Sequence, residues 1–151
     1  MVARYVILDT GPLGLVTNPI LSAISQSCTR WLQSLLRYGV RVIVPEIADD
    51  EIRRELLRAK KFRGLARLDS LGESLDYLPL ETAVLRQAAE FWAAARQQGR
   101  QTAPDKALDA DVILAAQAHC LNSDDVTIAT TNVRHLSRYV RAEHWQDIDA
   151  G

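Results

Sequence analysis

Short apolar runs that alternate with longer amphipathic segments are the feature that most constrains the fold of this chain. Five such runs, each of a length suited to a strand, are separated by stretches with apolar residues at helical spacing. This alternation is typical of a parallel sheet, because parallel strands are joined by helical crossovers that cover the two faces. We therefore predict a three-layer α/β/α sandwich with a central parallel sheet of about five strands, in a single domain over residues 1–151.

The predicted elements follow from the same spacing. The strands are expected at residues 5–8, 40–44, 75–80, 126–130 and 143–148. The helices are expected at roughly 22–38, 46–60, 63–74 and 81–98, with a last one starting at 109 or just before it and running to 120. Cys28 and Cys120 fall in helical patterns without metal-binding spacing, so we expect two reduced, buried, small apolar residues.

Composition places the chain among soluble globular proteins. Apolar residues make up 48% of the chain, charged residues make up 25%, and the formal net charge is −1. No global basic field therefore marks a nucleic-acid-binding protein, although local basic patches are compatible with such a partner. The sequence contains no apolar run near the about 18 residues of a membrane span and no signal-peptide pattern, so we expect a cytoplasmic protein with no membrane partner.

Oxygen-bearing side chains recur where strands end or helices begin. Asp9 ends the first predicted strand, Glu51 lies on the helix after the second, and Asn132 follows the fourth. Asp109 and Asp111 introduce the helix that leads into the fourth strand. Because the functional crevice of an open α/β sheet lies beyond the carboxyl ends of its strands, we expect these positions to meet at one edge of the sheet.

Capping is a simpler explanation for each acidic residue taken alone. Asp9 suits the cap of a following turn, and acidic residues in a first helical turn favour the helix dipole. Capping does not comfortably explain Asp109 and Asp111 together, because the next seven residues include Gln117 as their one polar side chain. Converging carboxylates without cationic partners repel one another, and their hard oxygen atoms favour Mg²⁺ or Mn²⁺. Such a site suits attack of water on a phosphodiester.

These motifs together resemble PIN-domain ribonucleases of the VapC toxin type. The resemblance rests on the apolar strand with LDTGPL, the Glu51 helix, DVILAA and TTNVRHL, in that order over nearly the whole chain. It implies a PIN-like fold and a Mg²⁺- or Mn²⁺-dependent endoribonuclease that hydrolyses RNA phosphodiester bonds, the toxin of a type II toxin–antitoxin pair. It also implies an antitoxin whose segment covers the acidic site, and a homodimer.

The resemblance assigns the acids of the site by motif position. The first is Asp9, the second Glu51 and the third Asp111, with Asp109 as an additional ligand or as a group that supports one. These residues are therefore expected to be the catalytic and metal-binding set.

The resemblance also covers the uncharged positions around the acids. The fourth position of the acidic pattern is occupied by Asn132, which can bind a metal-held water or orient substrate but brings no charge. Whether one metal ion or two would bind is left open by this departure. The hydroxyls of Thr10 and Thr131 are expected either to hydrogen-bond the ligating carboxylates or to satisfy local backbone groups.

Basic residues follow Glu51 along the same predicted helix. From residue 53 to residue 67 the chain carries seven Lys and Arg residues against one acidic residue. We expect contacts with RNA phosphates from this stretch and from the segment after the fourth strand, at Arg53, Arg54, Arg58, Lys60, Lys61 and Arg134. A solvated helix face is the alternative interpretation of such a run, and His135 is a further candidate as a general acid.

Three other families share single features with this sequence but fit it less well than the PIN-like family. The DTG motif also occurs in aspartic proteases, but their chemistry belongs to β-rich domains. A haloacid-dehalogenase-like phosphatase would need a second Asp where this chain has Gly11, and a receiver-like domain would need a Lys where it has Asn132 and Arg134. A non-enzymatic alternative is a catalytically degenerate PIN-like module that binds nucleic acid or protein, which Asn132 leaves open.

Overall fold

A parallel five-stranded sheet forms the centre of the protein. The computed structural model describes residues 4–99 and 105–151, with the backbone alone at 105–108. The strands are β1 (Tyr5–Leu8), β2 (Arg41–Pro45), β3 (Asp76–Leu78), β4 (Val126–Thr130) and β5 (Ala142–His144). Their order is β3-β2-β1-β4-β5, and every neighbouring pair is parallel.

Helices cover both faces of this sheet. They are α1 (Thr10–Thr17), α2 (Ala23–Arg37), α3 (Glu46–Arg58), α4 (Phe62–Ser74), α5 (Thr82–Gln97), α6 (Asp105–Cys120) and α7 (Val133–Leu136). A 3₁₀ helix, Trp145–Asp147, follows β5. Within the described ranges, none of these helices has the length and apolar character that crossing a membrane requires.

The central strand β1 shows how the two faces are filled. Val6 and Leu8 pack into a core with α1, α2 and α4, whereas Ile7 packs into a second core that includes Leu114 of α6. All three β1 side chains are fully buried. Such burial on both faces is the pattern of a central parallel strand. The predicted three-layer α/β/α sandwich is confirmed.

Helix α1 directly follows β1, where the sequence pattern predicted only a turn. Pro12 lies in the first helical turn, where its missing N–H removes no intrahelical hydrogen bond. Leu13 and Val16 are buried against the core, and that packing stabilises a segment rich in Gly and Pro. The start of α1 lies so close to β4 that a Cβ on Gly11 would lie 2.8 Å from Thr131 Cγ2.

Element boundaries agree best where strands are central. The prediction for β4 matches the structure, and β1 does as well. The last predicted strand is wrong beyond His144, because the chain turns there into the 3₁₀ helix. That turn carries Trp145 into the core, with its ring centroid 5.6 Å from that of Trp31.

The two cysteines differ in their surroundings. Cys28 is fully buried on α2, as predicted. Cys120 is exposed, so the expectation of a second buried thiol is wrong. It is the final residue of α6, and its thiol donates a 2.9 Å hydrogen bond to the Gln117 carbonyl. The helical pattern extends to the end of α6, but the buried face of the helix does not include this last position.

Candidate metal centre

Asp9 lies at the carboxyl end of β1 and is the N-cap residue of α1. Its Oδ1 accepts a hydrogen bond of 2.8 Å from the amide of Thr10. Its Oδ2 accepts one of 2.7 Å from the hydroxyl of Thr130. Burial raises the pKa of the Asp9 carboxyl, while the hydrogen bonds from Thr130 and Thr10 act in the opposite direction. Asp9 can therefore cap α1 through one carboxylate oxygen and contribute the other oxygen to a site, since the two oxygens have separate partners.

Glu51 of α3 and Asp111 of α6 lie within electrostatic reach of Asp9. Burial raises the pKa of Glu51, and the charge of Asp9 raises it further. Burial raises the pKa of Asp111 to about 6, with the charges of Asp9 and Glu51 acting in the same direction. The structure thus brings together three carboxylates from three separate elements, close enough for the charge of Asp9 to disfavour ionisation of Glu51 and of Asp111.

Cationic groups near the three carboxylates offset this repulsion only in part. Arg138 lowers the pKa of Asp111, and Arg54 lowers that of Glu51, but both shifts are outweighed by burial and by like charge. Arg54 is also shared with Asp50, at 3.3 Å. His135 Nδ1 lies 3.7 Å from Asp111 Oδ2, which is longer than a hydrogen bond. The cluster consequently retains an excess of negative charge.

The donor set of this cluster suits a hard divalent cation. Three carboxylates without a thiolate or imidazole ligand match the preference of Mg²⁺ and Mn²⁺ for oxygen. In the part of the chain that the structure describes, no three Asp, Glu, His or Cys side chains form a closed metal-binding arrangement. The three carboxylates would therefore have to draw together to hold an ion.

Asp109 lies on another face of α6. The helix begins at Asp105, four residues earlier than the latest start that the sequence pattern allowed. Asp109 and Asp111 are thus both inside the helix, where residues two apart point about 200° away from each other. Asp109 is exposed and lines a groove between α5 and α6 with Leu85 and Trp92. The structure does not bring it to the three carboxylates.

The contact between Thr130 and Asp9 was not predicted from the sequence. Thr130 is fully buried, and its hydroxyl also accepts a 2.8 Å hydrogen bond from the amide of Asn132. The strand register explains this contact, because Leu8 pairs with Ala129 and the next position therefore sets Asp9 beside Thr130; the sequence alone does not fix that register. Thr131, which was a predicted partner of the carboxylates, has an exposed side chain.

Asn132 lies at the start of α7 and is exposed. Its side chain makes no capping hydrogen bond, and its backbone amide is held by Thr130. The fourth predicted position is therefore tied to Asp9 through a single shared hydroxyl. Its carboxamide remains accessible to solvent or substrate.

The predicted RNA-contacting residues fall into two groups. The guanidinium of Arg53 is held by Asp49 and Asp69, at 2.8 Å each. Arg54 and Arg58 are likewise ion-paired along their own helix. The remaining members, which are exposed and have no ion pair with a described residue, are Lys60, Lys61 and Arg134.

Comparisons with known proteins bear on the fold. Neither family models nor curated proteins match the sequence. Among solved structures, the chain is similar to a chain of VapBC2 from Rickettsia felis bound to a DNA fragment from their promoter. The TM-score is 0.72 at 19% identity, over 94% of this chain and 99% of the other. The chain has the PIN-like fold.

Two further structures share this PIN-like fold over nearly their full lengths. FitAcB from Neisseria gonorrhoeae has a chain that matches with a TM-score of 0.67 at 19% identity, over 95% of this chain and 99% of the other. VapBC-1 from nontypeable Haemophilus influenzae matches with a TM-score of 0.66 at 16% identity, over 95% of this chain and all of the other. The fold implied by the sequence motifs is therefore confirmed, although sequence identity is low.

Proposed function

We propose that this protein is a Mg²⁺- or Mn²⁺-dependent endoribonuclease that hydrolyses RNA phosphodiester bonds. The observation that carries the proposal is the meeting of Asp9, Glu51 and Asp111, where burial and then like charge raise the pKa of Asp111 and of Glu51. Uncompensated carboxylates at this edge of a parallel sheet are costly for the apo protein, and a bound cation would relieve that cost. The PIN-like fold and the motif order support the same assignment.

Each residue of the cluster has a distinct task in this proposal. Asp9, Glu51 and Asp111 would hold the ion, which when bound supplies an activated water and stabilises charge on the phosphate oxygens. Thr130 orients the Asp9 carboxylate through its 2.7 Å hydrogen bond. His135, whose Nδ1 lies 3.7 Å from Asp111 Oδ2, would give a proton to the leaving oxygen.

RNA would reach the cluster along the end of α3. We assign phosphate contacts first to Lys60, Lys61 and Arg134, since these cations have no described ion-pair partner. Glu51 lies seven residues before Arg58, the last residue of α3, which corresponds to roughly 10 Å along the helix axis, and Lys60 follows beyond that end. That distance is suited to phosphates a few nucleotides away from the cleaved bond rather than to the cleaved phosphate itself.

The proposal is tested by incubating purified protein with a pool of structured RNAs in Mn²⁺, Mg²⁺ or EDTA. Wild type should cut only with a divalent ion, and Asp9→Asn should not cut. The matched control is Asp124→Asn, because Asp124 is an exposed acid just before β4, at the opposite end of that strand from Thr130. Cutting that survives EDTA or Asp9→Asn would reject the metal site.

We also propose that the protein is the toxin of a toxin–antitoxin pair. Its structural neighbours include VapBC complexes, and the excess negative charge of the cluster suits coverage by a basic segment of a partner. Expression of the wild-type chain should arrest growth of a bacterial host, whereas Asp9→Asn should not. Co-expression of the protein encoded beside it should restore growth; continued arrest would count against that partner.

A catalytically degenerate module that binds RNA or protein is the second candidate. The observation that favours it is Asn132, which leaves the fourth position of the acidic pattern without charge. Mn²⁺ titration separates the two functions. A rise in melting temperature on adding Mn²⁺ indicates an intact ion site. RNA binding without that rise, and without cleavage, would favour the degenerate module.

A further inference from the structure

Gln117 is a fully buried polar side chain on the otherwise apolar inner part of α6. Its Nε2 donates hydrogen bonds to the carbonyls of Leu78, at 2.8 Å, and of Pro79, at 3.3 Å. Its Oε1 accepts a hydrogen bond of 3.4 Å from the amide of Ile47. Two carbonyls on one side and an N–H on the other allow only this orientation of the carboxamide.

The hydrogen bond to Ile47 gives α3 a cap that its own sequence does not provide. The residue at the N-cap of α3 is Pro45, which makes no side-chain capping bond. The amide of Ile47, the second residue of the helix, is one of the first-turn donors without an intrahelical partner. Gln117 satisfies that donor from α6, so the two helices are joined directly at the start of α3.

A second side chain binds the same segment after β3. Glu46 Oε1 accepts a hydrogen bond of 2.7 Å from the amide of Leu80. The segment from Leu78 to Leu80, at the end of β3 and before α5, is therefore held by Glu46 of α3 and by Gln117 of α6. The start of α3, the end of β3 and the last turn of α6 thus form one hydrogen-bonded unit.

We infer that Gln117 is a positioning residue that sets the spacing between Glu51 and Asp111, an inference that rests on the proposed function for its link to the metal ion. Glu51 lies one turn after Ile47, about 6 Å along α3, and Asp111 lies six residues before Gln117, about 9 Å along α6. The two carboxylates repel each other, and a rigid link between their helices limits how far they separate. An apolar side chain of similar volume would fill the space but would supply no such link.

The test compares Gln117→Met with Leu35→Ala. The first removes all three hydrogen bonds at similar volume; the second removes buried apolar packing on α2, in a core to which no described residue of α6 contributes. We expect Gln117→Met to weaken Mn²⁺ binding by about tenfold in isothermal titration calorimetry. Leu35→Ala should lower the melting temperature at least as much but leave the Mn²⁺ Kd of the folded protein within about twofold of wild type.

A metal-independent readout keeps this inference separate from the proposed function. Spin labels at Leu57→Cys on α3 and Asp109→Cys on α6, both exposed positions, report the distance between the helices once Cys120 is changed to Ser. Gln117→Met should broaden or shift that distance, and Leu35→Ala should not. An unchanged distance or an unchanged Mn²⁺ Kd in Gln117→Met would overturn the positioning role. If wild type itself binds no Mn²⁺, the proposed metal site fails, and the label distance still decides whether Gln117 sets the helix spacing.

Discussion

The hydroxyl of Thr130 joins Asp9 to Asn132. It donates a 2.7 Å hydrogen bond to the Asp9 carboxylate and accepts a 2.8 Å hydrogen bond from the Asn132 amide. Because a hydroxyl has one proton to give, this arrangement commits that proton to the carboxylate. The orientation of Asp9 and the start of α7 therefore depend on the same fully buried side chain.

Replacing Thr130 with Val should weaken Mn²⁺ binding by about tenfold, because loss of the orienting partner of a metal ligand typically costs that much or more. Thr130→Ser keeps the hydroxyl and should bind close to wild type. Thr127→Val is the matched control, since Thr127 is also buried on β4 but is not a partner of Asp9. Isothermal titration calorimetry decides the matter, and equal losses in the two Val variants would contradict the role of the Thr130 hydroxyl.

The pH dependence of stability should differ between wild type and Asp111→Asn. The pKa of Asp111 is raised to about 6 in the native protein, from 3.8 for the unperturbed group. Between about pH 4 and pH 6 the native state therefore holds a proton that the unfolded state has released, so the free energy of unfolding falls as the pH rises through this window.

The Asp111→Asn variant has no carboxyl group at this position, so it does not lose stability in this way as the pH rises. In EDTA at pH 7.5 we expect Asp111→Asn to be more stable than wild type by about 1 kcal/mol, a figure reduced from the full shift because the site is partly solvated. At pH 4 the two proteins should be nearly equal. Urea unfolding at both pH values measures the difference. A variant that is equally or less stable at pH 7.5 would show that charge repulsion at this position is negligible.

Asp109 and Asp111 should respond differently to the same substitution. Asp109→Asn should leave the Mn²⁺ Kd within about twofold of wild type, because the residue faces the α5–α6 groove. Asp111→Asn should abolish measurable binding, since it removes one of three proposed ligands. Calorimetry on the two variants checks this prediction, and a large loss in Asp109→Asn would return that residue to the ligand set.

The salt dependence of RNA binding should separate the lysines from the ion-paired arginines. In an Asp9→Asn background, which we expect to bind RNA without cutting it, Lys60→Ala with Lys61→Ala should reduce the slope of log K against log salt by about 0.7 for each phosphate that the variant no longer neutralises. Arg58→Ala should change the slope less, because its guanidinium is paired with Glu55 at 2.8 Å. The slopes are measured by fluorescence anisotropy. Equal changes in slope would show that the ion-paired arginine contributes to RNA binding as much as the lysines do.

Sequence patterns predicted the elements whose burial is regular. β1 is apolar and β4 is made of apolar and β-branched residues, and both were placed correctly, because a central parallel strand is buried on both faces. α1 was missed because Gly11, Pro12 and Gly14 oppose a helix by propensity, and only packing of its apolar side chains against the core overrides them.

The three carboxylates were placed together from their positions at strand ends and helix starts. The sequence pattern could not predict which side of α6 each acidic side chain faces, because this depends on where the helix begins. The start of α6 at Asp105 rather than near Asp109 decides which of two neighbouring acids faces the cluster. The role of Gln117 was likewise hidden, because its partners are backbone atoms of segments up to 70 residues away.

The position of β1 in the middle of the sheet has a consequence for the order in which the protein is made. Asp9 and Glu51 are synthesised early, but the strand beside β1 on one side is β4, and the Thr130 hydroxyl is 121 residues from Asp9 in the chain. Before β4 has left the ribosome, the nascent chain has Asp9 and Glu51 but lacks the Thr130 hydroxyl that orients Asp9. Asp111 is then not yet held in a folded helix. Under the proposed function, the site would therefore be complete only after β4 has been made, although two of its acids lie within the first 51 residues of the chain.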